Sequence, residues 1–235
     1  MTESNVEAPG ETRRRGWGIP AAGLLSSLLL LPLAAPANAQ DAEPLEELGQ
    51  KEEAVPLQVR LGLRLGAFEM INSGDSYDAV FGDPLPLAGA DLELRFASRW
   101  LARISAEYGE IDGEQVLLTD PPRPTGIETT LTYAPIHVSA GFLVGPDTPW
   151  RFVVGGGATL LRWEESGPSG SDSSTDPGGH LLLSLERTGD RWGIGGEAIY
   201  SSIPDAAGAG GASDFFEEDD LGGLALSVTL RWRIR

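Results

Sequence analysis

Between Leu224 and Arg235 apolar and polar residues alternate without a break: Leu224, Leu226, Val228, Leu230, Trp232 and Ile234 against Ala225, Ser227, Thr229, Arg231, Arg233 and Arg235. A period of two predicts a β-strand with one greasy and one polar face. The same signature recurs upstream. In VPLQVRLGLRLGAF, Leu57, Val59, Leu61, Leu63 and Leu65 oppose Gln58, Arg60, Gly62, Arg64 and Gly66. ADLELRF sets Leu92, Leu94 and Phe96 against Asp91, Glu93 and Arg95, and WLARISAEY sets Trp100, Ala102, Ile104, Ala106 and Tyr108 against Arg103, Ser105 and Glu107. WRFVVGGGATL, HLLLSLER and WGIGGEAIY continue the pattern. ETTLTYAPIHVSAGF breaks phase: Leu131 and Tyr133 share one parity, while Ile136, Val138, Ala140 and Phe142 take the other. A β-bulge at Ala134–Pro135 is the expected cause, since proline cannot donate to the ladder. Eight strands are predicted.

Their connections alternate in length. Long polar stretches (NSGDSYDAVFGDPLP, EIDGEQVLLTDPPRPTG, EESGPSGSDSSTDPGG, IPDAAGAGGASDFFEEDD) follow the odd strands, and short links (ASR, VGPDTP, RTGD) follow the even ones. Short turns at one rim and long loops at the other are the plan of an outer-membrane barrel. The expected fold is all-β, an eight-stranded antiparallel up-and-down transmembrane β-barrel.

Alternation alone does not say which face meets lipid; the aromatics do. Trp100, Trp150 and Trp192 open strands three, five and seven, and Trp232 nearly closes strand eight, so all four fall at the short-turn rim on the apolar parity. Tyr108 and Tyr200 follow eight residues after Trp100 and Trp192. That is about 26 Å of strand, or roughly 20 Å of height after tilting, near the ~25 Å of an apolar band with aromatic edges. Amphipathic rings favour the headgroup level. The polar face carries Arg60, Arg64, Arg95, Arg103, Arg231 and Arg233 with Asp91, Glu93, Glu107 and Glu197. An eight-stranded barrel is just wide enough for side chains, so these charges are expected to pair across the lumen, with Gly62, Gly66, Gly155, Gly157, Gly193 and Gly195 making room.

The glycine-bearing LGLRLGAF, the proline-bearing YAPIHVSAGF, the glycine-rich WRFVVGGGATLL, GGHLLLSLER and the glutamate-bearing IGGEAIY resemble, in that order, the small outer-membrane β-barrel family of OmpA/OmpX/OmpW-like proteins. The resemblance implies eight strands inserted by the outer-membrane barrel assembly machinery. It departs at the C-terminal side, where such barrels finish on an aromatic residue and this chain has Ile234 and Arg235 after Trp232. Family members differ in role, so the likeness implies no single activity.

Composition narrows the setting. TRRRGWGIP, the apolar run AAGLLSSLLLLPLAA and the small-residue ANA describe a secretory signal peptide over residues 1–39 for the Sec route. Residues 40–54 read as an acidic periplasmic N-terminal segment, and 55–235 as the barrel domain. The chain has no cysteine, and its formal charge of −18 argues against a nucleic-acid partner. The expected partners are outer-membrane lipid and the assembly machinery, around a monomer.

Candidate chemistry is sparse. His137 is expected inside the lumen, bonded to a carboxylate, with a proton-sensitive gate as the sharper alternative. His180 and Ser184 would have to meet within hydrogen-bond reach to serve a lipid hydrolase. GGG at 155–157 precedes no helix and is no phosphate loop. DFFEEDD marks 205–220 as a surface-partner loop, and its carboxylates suit Ca²⁺ or Mg²⁺ without matching a defined loop. The expectation is a protein with no catalytic residues, metal or cofactor, acting structurally or through acidic external loops. The alternatives are an OmpW-like narrow channel for small apolar solutes and, behind it, the hydrolase.

Overall fold

A computed structural model describes residues 57–96, 98–117, 119, 121–144, 148–168, 170–206 and 216–234. The signal-peptide and N-terminal-segment expectations lie outside the described residues. Eight antiparallel strands close into a barrel in sequence order: β1 (Gln58–Glu69), β2 (Leu85–Arg95), β3 (Trp100–Leu117), β4 (Arg123–Val144), β5 (Trp150–Gly167), β6 (Gly170–Thr188), β7 (Trp192–Ser202) and β8 (Gly223–Arg233). β1 pairs with both β2 and β8, so no edge is left around the ring. One short helix, α1 (Gly74–Val80), lies in the β1–β2 connection.

The alternation read from the sequence sets the two faces. Leu61, Leu63 and Leu65 of β1 are exposed, while Arg60 and Arg64 are buried. Trp100, Trp150, Trp192 and Trp232 are each about half exposed, and Trp192 and Trp232 are register partners. Tyr108 and Tyr200 are likewise exposed, at the far edge of the band. The barrel therefore wears its leucines outside and its arginines inside, the reverse of a soluble protein. No helix among the described residues is long and apolar enough to cross a membrane; the crossing elements are strands.

Two expectations need correction. The pairing of β4 with β3 and β5 runs through Ala134 and Pro135 in unbroken register, so no bulge lies there; the irregularity falls at Glu114–Val116. Leu131 and Tyr133 keep the parity of His137 and point inward, where they are buried. The apparent phase change arose because the lumen itself is apolar toward the long connections. Phe68, Leu85, Leu87, Leu131, Tyr133, Leu161, Trp163, Leu182 and Ile199 form that core. A smaller apolar cluster, Leu101, Leu143 and Val153, packs inside near the short turns.

The second correction concerns the loops. Much of the polar sequence after strands three and five is strand rather than loop. β3 to β6 span 18, 22, 18 and 19 residues, against 11 or 12 for β1, β2, β7 and β8. Eleven residues already rise roughly 28 Å after tilting, enough for the hydrocarbon core. The excess projects as a four-stranded sheet, with Asp112 opposite Thr130, Glu165 opposite Leu131 and Asp172 opposite Glu165.

Candidate functional site

Three features compete for function: the charged lumen, a hydroxyl–imidazole string beside it, and the projecting acidic end.

The lumenal network contains five arginines and five carboxylates: Arg60, Arg64, Arg103, Arg151 and Arg231 with Asp91, Glu93, Glu107, Glu186 and Glu197. All ten are buried and the set is neutral. Glu93 receives Arg60 at 3.2 Å, Arg103 at 2.7 Å and Arg151 at 3.0 Å. Arg231 donates to Asp91, to Glu186 at 3.2 Å and to Glu197 at 3.0 Å. Arg64 lies 2.9 Å from Glu107 and 2.7 Å from Glu197. Arg60 also pairs with Glu186, and Arg103 with Glu197. Each arginine meets two or three carboxylates, and Glu93, Glu186 and Glu197 meet three arginines each, which is how a low-dielectric interior tolerates charge. At Gly193 an added Cβ would overlap Glu186 and Arg60.

Two of the residues expected in this network are elsewhere. Arg95 donates to the Ser98 carbonyl in the β2–β3 turn, and Arg233 is exposed at the same rim. Both stand on the lumenal parity, but at the ends of their strands, where solvent is reachable. Arg151 and Glu186 were missed. Each sits beside an outward residue, Phe152 and Leu185, so parity could have found them. Charge balance could have too, because six arginines against four carboxylates is a poor set for a sealed lumen.

His137 and His180 stack edge to face, their ring centroids 4.8 Å apart. Thr159 joins them through its hydroxyl, 2.9 Å from His137 Nδ1 and 3.0 Å from His180 Nδ1. Ser139 Oγ lies 2.8 Å from His180 Nε2. His137 thus bonds a hydroxyl where a carboxylate was expected; Glu107 is 4.0 Å away. Ser184 lies four residues from His180 on the same strand, about 13 Å along it, so the two are not brought together. Every member of the string faces the filled interior, away from any acyl chain.

At the opposite end α1 and the described start of the β7–β8 connection join the apolar core through Tyr77, Ile203 and Ala206. Glu218 accepts the backbone N–H groups of Asp75 and Ser76 at 3.1 and 2.9 Å, satisfying orphan donors of the helix start. Asp220 accepts from Ser202 Oγ, Ile203 N and Gly222 N, each at 2.7 Å, and its carbonyl accepts from Ser73 Oγ at 2.6 Å. The sequence reading of 205–220 as a partner loop overlooked this stapling; residues 207–215 lie outside the described residues. The projecting sheet carries Glu110, Asp112, Glu114, Glu128, Glu164, Glu165, Asp172 and Asp176 against Arg123 and Arg162. That end of the protein is strongly acidic. Among the described residues no group of three or more His, Cys, Asp and Glu side chains is placed to hold a metal ion.

At the level of fold the barrel is similar to solved outer-membrane proteins. OprG, an outer-membrane protein of Pseudomonas aeruginosa, superposes with a TM-score of 0.51 at 11% identity, over 76% of this chain and 95% of that one. The fold is that of an outer-membrane barrel. Neisserial surface protein A matches at a TM-score of 0.46 and 10% identity over 76% of this chain and 97% of that one. Ail of Yersinia pestis, solved with the heparin analogue sucrose octasulfate, matches at 0.43 and 14%, again over 76% and 97%. No family model and no curated protein matches the sequence.

Proposed function

We propose that this protein is a non-enzymatic, non-conducting barrel of the outer membrane that acts at the cell surface through its acidic projecting sheet, by contact with cationic macromolecules. The observation that carries this reading is the filled lumen beneath an acidic end. A neutral ionic tier and an apolar tier occupy the interior, so a central pore would require both to be displaced. Eight carboxylates against two arginines on the projecting strands provide a field that attracts positive partners and repels acidic ones. Short turns belong to the periplasmic side in barrels of this plan, which puts the acidic end outside.

Two measurements test it. Planar-bilayer recordings of the reconstituted barrel should give no discrete conductance steps; regular steps would favour the channel reading. Cells displaying the protein should bind fluorescent poly-L-lysine in a salt-sensitive manner. That binding should fall when Glu110, Asp112, Glu164 and Glu165 are replaced by their amides, and equal binding by both forms would remove the surface role.

A further inference from the structure

The lipid-facing wall is not uniform. Across five strands one rung reads Phe152, Leu185, Gly196, Val228 and Leu65, and the next reads Val154, Leu183, Ala198, Leu226 and Ala67. β7 supplies the small residues, Gly196 and Ala198, and β6 and β8 supply leucine or valine on either side. The result is a trough along β7, an open groove of about 780 Å³. Its floor is truly empty at the glycine: a Cβ built on Gly196 has no atom within 4 Å.

The groove ends at a cation. Arg187 lines it together with Trp150, its register partner on β5, and the next outward residue of β7, Ile194. Arg187 is exposed and makes no ion pair among the described residues. Arg191 and Arg233 are exposed on the same rim, joined by a backbone hydrogen bond of 2.7 Å, with Asp190 the carboxylate of that turn. A guanidinium at the tryptophan level meets phosphate oxygens with matched geometry, and a trough one strand wide fits one extended hydrocarbon chain.

We infer that this face is a binding site for one anionic glycerophospholipid of the periplasmic leaflet, its phosphate on Arg187 and one acyl chain laid over Gly196 and Ala198. The assignment rests on the membrane orientation proposed above. Charge and shape favour the same occupant: the apolar floor excludes a polar polymer, and the cation at its mouth distinguishes a phospholipid from a bare hydrocarbon.

Native mass spectrometry of the folded protein, released from detergent micelles containing dioleoylphosphatidylglycerol, reads the site directly. The wild type should retain one lipid. R187Q should retain it about fivefold more weakly, the scale of one arginine near an anionic surface. G196L, whose Cβ meets no atom within 4 Å, should lose the bound lipid, while A106L on β3, equally lipid-facing, should behave as wild type. Equal retention by all four proteins overturns the site. Heat-modifiable gel mobility of each variant reports folding independently. If the wild type instead folds in buffer without detergent, the membrane reading itself fails and takes the site with it.

Discussion

Arg231 on β8 donates through Nε to both carboxylate oxygens of Asp91 on β2, at 2.9 and 3.2 Å, reaching over the strand that separates them. That strand is β1, and its residue on the same rung is Gly62, the register partner of both Asp91 and Arg231. A Cβ on Gly62 would overlap the Asp91 carboxyl group. The glycine is therefore the gap through which the ion pair forms. G62A should destabilise the barrel by about 1–3 kcal/mol, the usual scale of overpacking. G196A on the outer wall should stay within about 0.5 kcal/mol of wild type. Urea midpoints of the two variants in phospholipid vesicles make the comparison, and equal shifts would mean that β-strand propensity, not the ion pair, governs both positions.

Asp91 and Arg231 should also be strongly coupled. Removing one partner of a buried pair leaves an uncompensated charge and costs about 3–5 kcal/mol. D91L and R231L should each approach that loss. The double variant should lose much less than their sum, because the leftover charge disappears with its partner. Arg231 also serves Glu186 and Glu197, so R231L should be the worse of the two singles. A double-mutant cycle on reversible unfolding measures the coupling; additive losses would show that the lumen is wet enough to solvate either ion alone.

Much of this architecture was legible because one period governs nearly every strand. The parity of Leu61, Leu63 and Leu65, and the tryptophans at one rim, place lipid and lumen without any long-range information. What parity could not show is which inward residues are polar because of charge pairing and which are apolar because the lumen changes character along its height. Leu131 and Tyr133 looked out of phase for that reason. Sequence also could not separate a hydrophilic loop from a hydrophilic strand. Residues such as Glu110, Asp112 and Glu164 are paired in a sheet above the apolar band, where polarity no longer signals a break. The trough over Gly196 depends on which residues of β6 and β8 flank it, and only the register supplies that.

Asp220 offers a third test, beside the start of α1. Its side chain takes three hydrogen bonds, two of them from the backbone N–H groups of the buried Ile203 and Gly222. Removing an acceptor so that buried donors are left unpaired costs about 1–3 kcal/mol. The effect should be local, since the barrel ladder below does not depend on it. D220A should therefore speed amide hydrogen exchange in α1 and at Ile203 while leaving β1 and β8 protected. Uniform acceleration through the strands would place Asp220 in the global folding unit instead.

Tyr77 gives the same region a pH dependence with a definite sign. It is buried in α1, and its hydroxyl donates to the Asp83 carbonyl at 2.9 Å. Burial, with the negative charges of Asp78 and Asp83 adding to it, pushes its pKa up from 10.0 to about 12. The folded state thus holds this proton more tightly than the unfolded state does. The stabilisation is complete below pH 10 and drains away as pH rises from 10 toward 12, because ionisation is easier once the segment is released. Limited proteolysis of the β1–β2 connection across that window should show increasing cleavage in the wild type. Y77F keeps the ring and removes the ionisable group, so its cleavage should rise less steeply. Parallel curves for the two proteins would assign the alkaline loss to another group.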